Sequence, residues 1–197
     1  MMLNPIVAKP LKESLFSMKG FSKRAIEEHY KLYNGYVKKY NEIVDKLKAV
    51  DISSANQTYS DLRSLKTEIT FAIGGIKNHE IYFDILGGVG TVPGEKTRAI
   101  QGWSTLDEFK ADVKATGLAA RGWVWLAYDH DRDFYFVYLG DTQNKYPVWN
   151  ATPVFALDTY EHAYWMDFGS DRGAYIDAFF ENVDWNAVEK RVASIKG

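Results

Sequence analysis

Apolar side chains recur at alternating three- and four-residue steps in two stretches of the first half of the chain. This spacing places them on one face of a helix. Ser22, a residue suited to capping a helix, precedes the first stretch, and the polar segment 51–60 separates it from the second. The stretches consist of Ile26, His29, Tyr33, Tyr36, Tyr40, Ile43 and Leu47, and of Leu65, Ile69, Ala72, Ile76, His79, Phe83 and Leu86. They predict two long helices that pair as an antiparallel hairpin.

The second half of the chain combines short helical and strand patterns. Thr105 to Glu108 resembles a capping box and predicts a helix that runs through about Thr116. Two aromatic-rich runs, 123–129 and 134–139, are joined by a tight charged turn and predict a β-hairpin. The remaining segments are a loop at 140–152, an apolar strand at 154–157 and helices at 174–183 and 184–195.

Together these patterns predict an α+β protein in which an N-terminal antiparallel α-hairpin precedes a C-terminal α/β lobe with a small antiparallel sheet. The glycine-rich segment 87–95 reads as the boundary between the lobes. We therefore expect one lobe over 1–90 and the other over 91–197.

Composition and charge narrow the range of functions. The 197 residues include no cysteine, which excludes disulfides, thiol catalysis and cysteine-based metal sites. A net charge of −2 argues against a nucleic-acid partner. The chain has no apolar run of 18 residues and no signal-peptide pattern, so we expect no membrane span and a cytoplasmic protein.

Four residues are candidates for a metal site. His29 and His79 interrupt the apolar stripes, lying 18 residues before Leu47 and 19 residues after Ser60. Both are thus roughly 27–28 Å from the connection and level with each other in a hairpin. A lone histidine of this kind is more often an ordinary core residue, but two at the same level are harder to explain by packing.

The other two candidates come from the second half. Asp158 and His162 are four residues apart where the last strand ends, so a helical turn there would direct both side chains into one pocket. Their alternative role is a simple Asp–His hydrogen bond. Together with His29 and His79 they would form a set of three imidazoles and one carboxylate, suited to iron, manganese or zinc. His130, in the charged turn, is expected to be exposed.

Three segments resemble the iron/manganese superoxide dismutase family. Residues 158–165, DTYEHAYW, together with WVWL at 123–126, are similar to its C-terminal signature. GGIKNH at 74–79 resembles its second-helix segment, and IEEHYKLYNGYV at 26–37 resembles its first-helix segment. The resemblance extends from about Pro10 to Val192, and it implies a helical hairpin and an α/β lobe with the metal site between them.

The resemblance also implies roles for individual residues. His29, His79, Asp158 and His162 would be the metal ligands, with a solvent molecule as a fifth. Tyr36 would guard the substrate channel, and Gln143 would hydrogen-bond the bound solvent. Some iron enzymes place that glutamine where Gly75 stands here, so manganese is slightly favoured over iron.

Further residues would line the site or the subunit interface. Glu161 would reach His162 of a partner subunit in a homodimer, with a tetramer as the alternative. The other implied neighbours are Tyr164 at the interface and Trp123 and Trp125 as walls of the pocket. Because superoxide is an anion, Lys31 and Arg172 are candidate basic residues near the mouth, although such residues are more often solvated or structural charges.

The chain departs from the family pattern in the first helix and after Asp158. Tyr36 follows His29 by only seven positions, and Leu32 and Tyr33 stand where a further histidine is usual. An ungapped match on Tyr36 would make Glu28 the ligand, but only His29 lies on the apolar stripe. Tyr160 replaces the usual tryptophan.

We carry three functional hypotheses. The first is a superoxide dismutase that converts superoxide to dioxygen and hydrogen peroxide by redox cycling of one manganese or iron ion. The second is a non-catalytic or repurposed relative that acts as a binding or structural protein, against which the four retained ligands argue. The third is a non-haem iron oxygenase, whose sites use two histidines and one carboxylate, so a third histidine makes it the weaker choice.

Overall fold

A computed structural model of the chain describes residues 3–88, 90–98, 102–144 and 149–195. Its helices and strands, in chain order, are α1 Lys23–Ala49, α2 Asp61–Asp84, α3 Glu95–Arg98, α4 Leu106–Ala119, β1 Trp123–Asp129, β2 Phe134–Gly140, β3 Ala151–Asp158, α5 Trp165–Phe168, α6 Arg172–Glu181 and α7 Trp185–Ile195. This is the predicted α+β fold, a helical hairpin followed by helices and a three-stranded antiparallel sheet. Part of the predicted 140–152 loop lies outside the described residues.

Helices α1 and α2 form the hairpin, and both begin at serine caps. The hydroxyl of Ser22 accepts a hydrogen bond from Ala25 N, and that of Ser60 accepts from Arg63 N. The apolar stripe of α1 is buried as predicted from Ile26 to Ile43, except that Tyr36 is half-buried and Val37 takes the fully buried position beside it. Tyr36 therefore lies at the edge of the core.

Helix α2 ends two residues before the end of the predicted stripe. Leu86 is buried but lies outside the helix, where its backbone bridges to Val183. Gly87 follows with a φ of 83°, a left-handed conformation that glycine adopts without strain. The chain thus leaves α2 to pair with the segment between α6 and α7.

The sheet has the order β2-β1-β3, with both neighbours antiparallel to β1. Trp123 at the start of β1 pairs with Asp158 at the end of β3, and Asp129 at the other end pairs with Ala151. The predicted β-hairpin is confirmed, while the predicted third strand at 154–157 is longer in the structure. Its last residue, Asp158, is completely buried.

Helices α4, α6 and α7 cover the sheet around an aromatic core. Phe155 of β3 stacks on Phe180 and contacts Phe179 and Phe109 edge to face. The helix predicted through about Thr116 continues to Ala119 behind its Thr105 cap. None of the helices in the described part of the chain is long and apolar enough to cross a bilayer.

Candidate metal centre

Four predicted ligands converge where the hairpin meets the sheet. Helix α1 contributes His29, helix α2 contributes His79, the end of β3 contributes Asp158, and a 3₁₀ turn at Glu161–Ala163 contributes His162. One potential ligand atom from each residue lies within 4.8 Å of the other three. The ring centroids of His29 and His79 are 5.0 Å apart, so the two histidines are level in the hairpin as predicted.

The three imidazoles direct the same type of atom toward one carboxylate oxygen. His29 Nε2 and His162 Nε2 each lie 3.1 Å from Asp158 Oδ2, and His79 Nε2 lies 3.7 Å from it. The other oxygen, Oδ1, accepts a hydrogen bond of 2.9 Å from Tyr160 N. The backbone thus holds one carboxylate oxygen and turns the other toward the imidazoles.

The tautomer of His79 is fixed by the hydrogen bond of its other ring nitrogen, Nδ1. Nδ1 lies 2.7 Å from the carbonyl oxygen of Gly75, one helical turn earlier, and in the neutral ring it must donate to that acceptor. The proton then resides on Nδ1, and Nε2 presents a lone pair to the cluster. This arrangement, in which the remote nitrogen is fixed by a carbonyl, is usual for histidines that bind metals.

Burial and mutual charge shift the pKa values in the cluster. Burial lowers the pKa of His29 despite its hydrogen bond with Asp158, and it lowers that of His79 to about 3. Burial would raise the pKa of Asp158, but His162 and His29 hold it well below its usual range. Burial also lowers the pKa of His162, yet Asp158 more than offsets this effect and the net shift is upward.

These residues fit a metal ion. His79 Nε2 is buried and has no hydrogen-bond partner among the residues that the structure describes, although a buried polar atom left unpaired costs about 1–3 kcal/mol. A single Asp–His hydrogen bond leaves that lone pair unexplained. Three nitrogen donors and one oxygen donor suit divalent iron, manganese or zinc.

Tyr36 and Gln143 meet beside the cluster. Gln143 comes from the loop after β2, is 8% exposed, and its Nε2 donates to the Tyr36 hydroxyl over 3.1 Å. A Cβ atom on Gly75 would lie 2.8 Å from the Tyr36 ring, and one on Gly74 would lie 2.4 Å from the carbonyl oxygen of Gln143. The two glycines therefore allow α1 and the loop to approach α2 closely.

The two predicted wall residues differ in their contacts. Trp123 is completely buried, and its ring meets that of His79 edge to face at 5.2 Å. Trp125 is half-buried, and its Nε1 donates to Asn78 Oδ1 over 3.0 Å. Trp123 thus packs directly on His79, whereas Trp125 is bonded to the residue before it.

The predicted interface residues lie on and under the surface around His162. Glu161 is exposed, and beside it Trp165 and Met166 expose 54% and 53% of their surface. Tyr164 is buried and accepts a hydrogen bond from Arg172 Nε over 3.3 Å. Arg172 also donates to the carbonyl oxygen of Ala120 over 2.7 Å, so it ties α6 to the end of α4.

The remaining charged candidates lie outside the cluster. Lys31 forms an ion pair of 2.6 Å with Glu28 and, with Tyr36, lines a surface cavity of about 400 Å³. Glu28 is thus paired with Lys31 and is not among the four residues whose potential ligand atoms converge. His130 is exposed, as predicted, and hydrogen-bonds Thr152 Oγ1.

Two tyrosines that the sequence did not assign to the site contact Asp158 or Gln143. The Tyr175 hydroxyl donates to the backbone oxygen of Asp158 over 2.7 Å, and the Tyr160 hydroxyl donates to Gln143 Oε1 over 3.3 Å. The substitution at Tyr160 was visible in the sequence, but the partner of its hydroxyl was not. Tyr175 carries no local signal, because it lies within an ordinary helical pattern.

Comparison with known proteins decides the family. Residues 20–87 match the alpha-hairpin domain of the iron/manganese superoxide dismutases, and residues 94–191 match their C-terminal domain. The chain belongs to this family. It is therefore related to oxidoreductases in both halves, and the resemblance of its first- and second-helix segments is confirmed along with that of its signature.

Three relatives illustrate the similarity. The chain is 41% identical to a superoxide dismutase [Fe] of Aquifex aeolicus over 183 residues, which are 89% of this chain and 85% of the relative. It is 35% identical to a superoxide dismutase [Fe] of Cupriavidus metallidurans, covering 94% and 95% of the two chains. It is 33% identical to a superoxide dismutase [Mn] of Listeria monocytogenes, covering 89% and 91%.

Proposed function

We propose that this chain is a superoxide dismutase whose iron or manganese is held by His29, His79, Asp158 and His162. The observation that carries the proposal is the unpaired, buried Nε2 of His79, directed with two other imidazoles at one carboxylate oxygen. The family membership supports the reaction, in which two superoxide ions and two protons give dioxygen and hydrogen peroxide. A bound iron or manganese would supply the one-electron redox chemistry, which zinc lacks.

Tyr36, hydrogen-bonded by Gln143, is proposed to donate a proton at the mouth of the site. Burial raises the pKa of Tyr36, which keeps its hydroxyl protonated at neutral pH. Because Tyr36 accepts from Gln143 Nε2, its own hydrogen is free to point toward an incoming anion. The Tyr36 hydroxyl can therefore hold and donate a proton at the entrance.

Lys31 is proposed to assist the capture of superoxide, an anion. It lines the cavity that contains Tyr36, and Lys39 lines the same cavity. Both lysines are paired with glutamates on α1, so their attraction is partly neutralised and will be weakened further by salt. Arg172 is proposed instead to position Tyr164, because its guanidinium donates to that hydroxyl and to backbone oxygens.

The choice between iron and manganese is open in this proposal. The family resemblance slightly favoured manganese, because a glutamine stands at position 143 and a glycine at position 75. The comparisons with known proteins do not support that preference. Two relatives at 41% and 35% identity are named for iron, and one at 33% for manganese. Both metals suit the same donors.

A homodimer is proposed through the surface around Glu161, Trp165 and Met166, where a glutamate and two exposed apolar side chains adjoin His162. Burial of such a patch against a second copy would remove apolar area from water. A tetramer, the lobe boundary near residue 90 and a cytoplasmic location stay predictions.

The proposal is tested by expressing the protein separately with iron and with manganese, quantifying the bound metal and assaying superoxide dismutation by each form. Activity with one metal or both is expected at about one ion per chain. Stoichiometric metal without activity in either form would contradict the dismutase and favour a repurposed relative. His130→Gln is the matched control, because it removes a histidine outside the cluster.

A further inference from the structure

Tyr160 contacts the metal centre and the channel residues at the same time. Its backbone N–H donates to Asp158 Oδ1 over 2.9 Å, and its ring stacks on that of His162, with centroids 5.4 Å apart and planes at 15°. Its hydroxyl donates to Gln143 Oε1 over 3.3 Å. Tyr160 thus connects His162, a proposed ligand, with the glutamine that reaches Tyr36.

The hydroxyl of Tyr160 bears on the orientation of the Gln143 amide. An amide has an accepting end and a donating end of nearly the same shape, so its orientation is set by its hydrogen-bond partners. Here Oε1 accepts from Tyr160, and Nε2 donates to Tyr36 over 3.1 Å. The side chain of Gln143 is almost fully buried, so water is a poor substitute for either partner.

A second acceptor near the Tyr160 hydroxyl weakens its hold on the orientation of the Gln143 amide. The Tyr160 hydroxyl also lies 3.4 Å from the backbone oxygen of Asp141, and it has one hydrogen to share between the two acceptors. Reversing the Gln143 amide would place its NH₂ against Tyr160 and its oxygen against Tyr36. The Tyr36 hydrogen would then be bound to Gln143 instead of free for the substrate.

We propose that Tyr160 is a positioning residue: its hydroxyl holds the Gln143 amide with Nε2 toward Tyr36 and so keeps the Tyr36 hydrogen available to superoxide. The kinetic part of this inference rests on the proposed dismutase function, but the orientation of the amide does not. Tyr160 acts through Gln143 and is not itself placed against the substrate.

The test uses Tyr160→Phe, which removes the hydroxyl but keeps the backbone N–H and a ring that can stack on His162. The control is Tyr135→Phe, since Tyr135 is buried in β2 and its hydroxyl has no hydrogen-bond partner in the described part of the chain. The full chain contains three glutamines, Gln57, Gln101 and Gln143, so selective ¹⁵N-glutamine labelling gives three side-chain amides. A Gln143→Asn sample assigns the relevant pair of signals.

In the metal-free full chain, the Gln143 side-chain signals are expected to shift or broaden in Tyr160→Phe and to stay unchanged in Tyr135→Phe. In the metal-loaded enzyme, Tyr160→Phe should retain its metal while kcat/KM falls about three- to tenfold, the value of one hydrogen bond. The pH profile of kcat should also change, which a purely structural role would not cause.

Unchanged Gln143 signals in Tyr160→Phe would overturn the inference, whatever the enzyme does. Altered signals with unchanged kinetics and pH profile would overturn the claim that the hydroxyl serves the reaction. A third outcome is that the wild-type, metal-loaded protein has no dismutase activity while the Gln143 signals are altered in Tyr160→Phe. That result would support the positioning of Gln143 by Tyr160 and contradict the proposed function.

Discussion

A buried aspartate with a histidine nearby lies at each end of the central strand β1, yet the two sites differ in how completely their polar atoms are paired. At one end, Trp123 pairs with Asp158, which His162 contacts. At the other end, Asp129 closes the β-hairpin turn next to His130. From the sequence alone, each is an Asp–His constellation.

At the turn, both carboxylate oxygens of Asp129 have hydrogen-bond partners. Asp129 Oδ1 accepts from the backbone N–H groups of Asp131 and Arg132, and Oδ2 accepts from Arg132 Nη1 over 2.8 Å. His130 hydrogen-bonds Thr152. These bonds fix the turn, and the residues of the turn are not among the converging potential ligands found in the described part of the chain.

In the cluster, by contrast, three imidazoles are directed at one carboxylate oxygen, and His79 Nε2 has no hydrogen-bond partner among the described residues. Buried unpaired atoms occur elsewhere too, as at the Tyr135 hydroxyl, but His79 Nε2 lies within 4.8 Å of three other potential ligand atoms. The difference teaches that a candidate metal site is recognised by converging ligand atoms with one left unpaired, whereas a structural Asp–His pair is recognised by its completed hydrogen bonds.

The largest effect is expected when each of the two aspartates is replaced by asparagine in a separate variant and the two variants are compared. Asp158→Asn removes the negative charge that faces three imidazoles and should weaken metal binding by well over 100-fold, beyond the 10–100-fold usual for a residue that only supports a ligand. Asp129→Asn should lower the free energy of unfolding, because its ion pair with Arg132 is lost, and leave the metal content unchanged. Metal analysis and thermal unfolding measure both effects. Metal loss in Asp129→Asn would erase the contrast between the two ends.

The histidines give the next largest contrast. His79→Gln removes the unpaired nitrogen and should reduce metal affinity at least tenfold and dismutation in proportion, because the remaining donors no longer enclose the ion. His130→Gln should retain both the metal affinity and the dismutase activity of the wild type. Competition with a chelator followed by an activity assay measures the difference. Equal metal retention by the two variants would show that the unpaired Nε2 of His79 is not a ligand.

A smaller effect is expected from Tyr36→Phe, which leaves the ligands intact. The variant should bind metal as the wild type does but lose roughly two- to tenfold in kcat, since one hydrogen-bonded proton donor at the entrance is removed. Stopped-flow decay of superoxide gives the rate. A normal kcat with an altered metal content would assign Tyr36 to metal retention instead.

The smallest effect is the release of protons on metal uptake. In the metal-free protein the pKa values of His29 and His79 are lowered, so both are neutral near pH 7, whereas that of His162 is raised. Binding of a divalent ion should therefore release at most about one proton per chain, and less as the pH rises above neutrality. Calorimetry in buffers of different ionisation enthalpy counts these protons. Release of two or more at pH 7 would contradict the lowered pKa values.

The sequence predicted those features that depend on regular geometry. His29 and His79 were placed level with each other because the rise of a helix is fixed, and the i, i+4 spacing of Asp158 and His162 brought them together although the turn is 3₁₀ and not α-helical. The placement of Gln143 at the site came only from the family resemblance, since a loop residue has no fixed reach, and its direct hydrogen bond to Tyr36 was not predicted.

Other features could not be predicted because they depend on tertiary contacts. The hydroxyl bonds of Tyr160 and Tyr175 cross 17 positions of the chain each, and nothing in their local patterns indicates a partner. The end of α2 before Leu86 likewise follows from pairing with Val183, far along the chain. The apolar stripe alone continues past that point.

The most direct test of the metal centre is anomalous X-ray scattering from crystals of the protein loaded with iron or manganese. We expect one peak per chain at the matching absorption edge, enclosed by the Nε2 atoms of His29, His79 and His162 and by Asp158 Oδ2. A peak elsewhere, or a peak in the cluster that leaves His79 Nε2 without a contact, would contradict the assignment of these four residues as the ligands.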